Sequence, residues 1–175
     1  MATENLIIGL TNWNTLTLLT LKFNIKIVEI DDKLSQISIN NDNLKSLKLI
    51  DCENLKGKCL NSLNKIFLEE LFLICAESLI KIYLTNNMPY FENLKTFELF
   101  DYEDRNLNDL DEIIGKSYNL KTWNLDLSFQ ENLTIDSVAS LKNLELLTMN
   151  GINKLINEEN FFQNLYKLEK LKVLG

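Results

Sequence analysis

The chain has 175 residues and a net charge of −7, from 18 Lys and Arg against 25 Asp and Glu, and no window concentrates basic residues beside exposed aromatics. That length suits one domain with a substantial core, and that charge argues against a nucleic-acid partner. With no His, five Gly and one Pro, the sequence lacks Ser-His and Cys-His nucleophile pairs and the usual zinc ligation, and is poor in the turn residues of sandwiches and barrels.

Met1 to Gly9 lacks the basic start of a secretory signal and no run approaches 18 apolar residues, so a cytoplasmic protein with no membrane partner is expected. Residues 1–15 read as an N-terminal cap in which Trp13 closes the core. From Leu16 the pattern L-x-x-L-x-L recurs, starting at Leu16, Leu44, Leu68, Leu94, Leu120, Leu144 and Leu168. Successive starts are 28, 24, 26, 26, 24 and 24 residues apart, a near-constant period that means a solenoid. Each unit ends in a period of two, the mark of a short strand with one buried face.

Between the strands, Leu34-x-x-Ile37-x-Ile39 and Leu79-x-x-Ile82-x-Leu84 match out of phase and read as extended pieces on the return side, because a coil needs about 20 residues to close. Later returns read as short helices. Asp109 and Glu112 have capping-box spacing, Asp136 is placed to cap Ser137 to Leu141, and Asn157 to start a helix through Phe161, Phe162 and Leu165. The last match stops partway through a unit at Val173, leaving a leucine-rich edge, so a fragment of a longer solenoid or self-association through that edge is expected.

The repeats resemble those of the leucine-rich repeat family from about Leu16 to Val173. The consensus L-x-x-L-x-L-x-x-N/C-x-L is matched from Leu44 through Cys52 at the N/C position, with Leu55 following one residue beyond the place of the last leucine; Asn24 fills the N/C position in the first unit, and Ala76, Tyr102, Ser128 and Ile152 stand there in others. The period and Cys52 resemble the ribonuclease-inhibitor-like and cysteine-containing intracellular branches. The resemblance implies an α/β fold: a horseshoe solenoid of about seven coils in a single domain over 1–175. A parallel sheet would line the concave face, with extended segments and short helices on the convex one. It also implies a non-catalytic module for protein–protein interaction. The alternative is the substrate-recognition part of a larger enzyme, such as a ubiquitin ligase, whose other domains lie outside this chain.

Outward positions follow from the period of two. Between the two strand leucines stand Thr20, Lys48, Phe72, Glu98, Asn124, Thr148 and Lys172; after the second come Lys22, Ile50, Ile74, Phe100, Asp126, Asn150 and Leu174. Ile50, Phe72, Ile74 and Phe100 form an apolar centre bordered by Glu70, Glu98, Asp101 and Asp126, the build of a protein-binding patch for an apolar anchor with basic flanks. The competing reading is plain cross-strand packing, and a one-residue slip at Leu68 would turn Phe72 inward.

Other chemistry is poorly supplied. The acidic run from Asp101 to Glu112 lacks the D-x-D-x-D-G arrangement of a calcium loop and reads as a solvated loop entering a helix. Neither G-x-G-x-x-G nor G-x-x-x-x-G-K-[ST] occurs, so no cofactor and no enzymatic activity are expected. Cys52, Cys59 and Cys75 are odd in number with no C-x-x-C pair and read as reduced thiols.

Overall fold

The computed structural model describes residues 15–22, 32, 35–36, 42–51, 62, 67–74, 92–100, 117–126, 136–150 and 158–174. Seven short strands form one sheet: β1 (Leu18–Lys22), β2 (Ser46–Ile50), β3 (Glu70–Ile74), β4 (Thr96–Phe100), β5 (Thr122–Asp126), β6 (Leu146–Asn150) and β7 (Val173–Leu174). They lie side by side in chain order and every neighbouring pair is parallel. A parallel neighbour can be reached only by a crossover. Seven parallel strands in sequential order are therefore an α/β, solenoid-like fold. Among the described residues no helix is long and apolar enough to cross a membrane.

Register carries the repeated leucines into columns. Leu19, Leu47, Leu71, Phe97, Trp123 and Leu147 stand opposite one another, as do Leu21, Leu49, Leu73, Leu99, Leu125 and Met149. Leu49, Leu71, Leu73, Leu99, Trp123, Leu125 and Leu147 are all fully buried, and Leu44, Leu68, Leu94, Leu120 and Leu144 are buried just ahead of their strands. Burial of one such side chain stabilises by roughly 1.5–3 kcal/mol. The alternation of buried and half-buried residues along β3 and β4 is what an L-x-L strand dictates when only one face meets the core.

Backbone bonding repeats at every junction. The carbonyls of Thr17, Lys45, Glu69, Lys95, Lys121 and Glu145 each accept two consecutive N–H groups from the next coil, at 2.7–3.3 Å. At the other end of β2, Asp51 adopts a left-handed φ of 54° and donates its N–H to the Ile74 carbonyl at 3.0 Å. Aspartate is among the few non-glycine residues that visit this region without large cost.

Two later crossovers carry the short helices expected of them. A 3-10 helix, η1 (Asp136–Ser140), precedes β6, and an α-helix, α1 (Glu158–Leu165), begins directly after Asn157 and packs against η1. Phe161 and Leu165, four residues apart on one face, are buried; Phe162 and Tyr166 are exposed, Tyr166 at 90%.

Two expectations are corrected. Ser35 and Gln36 are helical, so the return segment over Leu34 to Ile39 is not an extended piece at those residues. Leu34 and Ile37 are three apart, a spacing that serves a helix face as well as the repeat template. The second correction concerns the last strand, where Leu146 pairs with Val173 and Leu147 with Leu174. Leu171, not Leu168, thus answers to Leu144, and the last start-to-start step is 27 residues. The cause lies in Leu168-x-x-Leu171-x-x-Leu174, which copies Leu141-x-x-Leu144-x-x-Leu147 and fits the template at two phases. Turn bonds decide: Leu171 donates its N–H to the Leu168 carbonyl at 3.2 Å, as Leu144 does to Leu141 at 2.9 Å. Lys172 and Leu174 therefore leave the two outward columns; Lys172 joins the entry position of Glu145 and Leu174 the column of Leu147.

Candidate functional site: the open face of the sheet

On the face turned away from the core, three columns of side chains run across the strands. The first holds Leu18, Ser46, Glu70, Thr96, Thr122 and Leu146; the second Thr20, Lys48, Phe72, Glu98, Asn124 and Thr148. In the third, Lys22, Ile50, Ile74 and Phe100 follow one another on β1 to β4. Neighbouring strands are about 4.8 Å apart. Ile50, Ile74 and Phe100 consequently form a band about 10 Å long across β2, β3 and β4, and Phe72 lies two residues from Ile74 on β3. Phe72 faces outward, with no slip at Leu68.

All four apolar residues are half-buried, as are Glu70 and Glu98. Asp126 is the last residue of β5, while Asp101 lies outside the described residues, as do the remainder of the acidic run, the three cysteines and Trp13.

Along the second column the chemistry changes strand by strand. The Lys48 ammonium stands over the Phe72 ring, 5.3 Å from its centroid, close enough for a cation–π attraction. On the other side of Phe72 stands Glu98, whose Oε1 accepts a hydrogen bond from Asn124 Nδ2 at 2.8 Å. Asn124 Oδ1 is buried and receives no donor, a loss of about 1–3 kcal/mol for a buried acceptor. Neither Glu70 nor Glu98 has a cationic partner among the described residues. Below the third column, Lys22 pairs with Asp51 at 3.5 Å.

The strand entrances carry a second charged row. Glu69 lies between Lys45 at 3.4 Å and Lys95 at 2.6 Å, and Glu145 meets Lys172 at 2.6 Å. The Lys95 hydrogen bond holds the Glu69 carboxyl below its ordinary 4.5, against a desolvation effect of opposite sign, with the Lys95 and Lys45 charges adding to the lowering. The hydrogen bond from Lys172, helped by its charge, does the same for Glu145. Because both folded values are depressed, the stabilisation is complete above the unfolded value and is lost as pH falls through the folded ones. Thermal melts between pH 6 and pH 3 are expected to show the midpoint dropping below about pH 4.5, with a shallower acid limb in Lys95→Met and at about 0.5 M salt.

One structural device escaped the reading of the sequence. Two asparagines that directly precede a core leucine bond back to the preceding coil: Asn119 Nδ2 donates to the Glu92 carbonyl at 2.6 Å and Asn143 Nδ2 to the Tyr118 carbonyl at 3.2 Å. Lys170 stands at the corresponding place in the last coil and reaches Asn143 Oδ1 at 2.7 Å. The signal was the recurrence of Asn43, Asn93, Asn119 and Asn143 directly before a core leucine. No family model matches the chain, and none of the curated proteins compared with it matches.

Proposed function

We propose that this is a leucine-rich repeat protein of the cytoplasm, without catalytic activity of its own, whose open sheet face is the concave side of a horseshoe and binds a protein partner. The observation that carries the reading is the in-register band of Ile50, Ile74 and Phe100 with Phe72 beside it, apolar groups on a face where hydration alone favours polar ones. Glu70 and Glu98 flank that band with no cationic partner among the described residues, which suits a partner bringing an apolar anchor and basic flanks. Asp126 ends β5 and Asp101 directly follows β4 in the sequence, so the chain supplies further acidic residues at these two strand ends.

Cross-strand packing makes a different demand on the same residues. Half-buried side chains that serve only their neighbours lose folding stability when made polar, whereas a docking patch loses its partner first. Phe72→Ser and Phe100→Ser are expected to cost less than about 1.5 kcal/mol each in chemical denaturation. In affinity capture from cell extract, a protein held by the intact chain is expected to be lost from an Ile50, Ile74 and Phe100 triple serine variant that still melts cooperatively. A cost above about 3 kcal/mol per substitution, the range of core cavities, would assign these residues to packing instead.

A further inference from the structure

We infer that the partner's basic flank includes an arginine whose guanidinium binds Glu98 and Asn124; the inference rests on the protein-binding reading and specifies its chemistry. The second column sets a direction across the sheet. Lys48 takes the Phe72 ring from one side at 5.3 Å, so a second cation is repelled from β2 and favoured toward β4, where Glu98 is the next residue in register. Phe72 then offers an apolar wall for the aliphatic stem of an incoming side chain, and Glu98 receives its charge.

Two acceptors lie one strand apart, one open and one buried. Glu98 uses Oε1 for Asn124 Nδ2, and its Oε2 takes no hydrogen bond among the described residues. Asn124 presents the complementary lack, a buried Oδ1 with no donor. Turning the Asn124 amide outward brings Oδ1 to the surface, and the bond it gives up to Glu98 is replaced by a charge-assisted one from the guanidinium. A planar fork of five N–H groups can reach the carboxylate and the amide oxygen together; a lysine ammonium is a compact point charge and does so poorly. Glu98 and Asn124 therefore select arginine over lysine.

N-acetyl-L-arginine methylamide and its lysine counterpart, titrated separately into the ¹⁵N-labelled chain, test this directly. The arginine derivative is expected to shift the Asn124 side-chain amide signals with a midpoint roughly fivefold lower than the lysine derivative. Glu98→Gln, which keeps an acceptor for Asn124 Nδ2, is expected to remove that preference without moving the melting midpoint by more than about 2 °C. Equal midpoints for the two derivatives, or a preference that survives Glu98→Gln, overturn the inference. Capture of the protein partner keeps the two readings apart. Loss with Ile74→Ser but retention with Glu98→Gln overturns the arginine contact and leaves the apolar patch standing. Retention with both removes the patch, and loss with both supports each.

Discussion

Replacing Trp123 with alanine is expected to lower the unfolding free energy by about 3–5 kcal/mol, the range for deleting a large aromatic from a closed core. Trp123 is fully buried in the leucine column of β5, between Phe97 on β4 and Leu147 on β6. Three consecutive strands would then border one void, and partial collapse there would disturb in-register bonds on both sides. Trp123→Phe should behave differently. The indole Nε1 is buried with no acceptor, so phenylalanine removes an unsatisfied donor along with some apolar area, and the two changes offset to within about 1.5 kcal/mol. Urea titrations followed by circular dichroism measure both variants without depending on the lost fluorophore. If Trp123→Phe costs as much as Trp123→Ala, the indole N–H is bonded after all.

The second large effect lies at Phe161. It is 3% exposed on the face of α1 that packs against η1, whereas the adjacent Phe162 is 43% exposed and meets Phe161 edge-on at 5.5 Å between ring centroids. Phe161→Ala is expected to cost about 3–5 kcal/mol and Phe162→Ala less than about 1 kcal/mol. Two neighbouring residues of the same type thus differ severalfold because a 100° step along a helix separates core from solvent. Similar losses at both positions would mean that α1 is rotated from the orientation described, and near-neutral losses that it is not docked.

The strands from β1 to β6 were legible because the same three apolar positions recur, so each unit corroborates the phase of the others. At β7 that support fails. Leu168, Leu171 and Leu174 are evenly spaced by three, and hydrophobic pattern alone accepts either phase; the turn bond from Leu171 to Leu168 and the pairing with Leu146 and Leu147 choose one. Ser35 and Gln36 show the same limit on a smaller scale, where a short apolar run served two periods.

On the open face, the period of two was enough to list the columns, including the band of Ile50, Ile74 and Phe100. It could not supply what depends on side-chain rotamers: Lys48 over Phe72, or Asn124 turned to Glu98 with its own oxygen left over. The asparagine bonds were missed for another reason. The L-x-x-L-x-L template begins at the leucine, whereas Asn119 and Asn143, which bond between coils, stand one residue ahead of it.

The doubled carbonyl bonds at the strand entrances have a bearing on how such a chain changes over generations. Since all six junctions use the same backbone bonds regardless of whether Thr, Lys or Glu supplies the carbonyl, any coil offers its neighbour an interchangeable connector. Duplication or loss of one whole unit leaves two compatible ends to rejoin, while an insertion of a few residues at a strand entrance does not. Length is therefore free to evolve in steps of one coil, and a patch confined to β2, β3 and β4 travels intact when units are added or removed outside it.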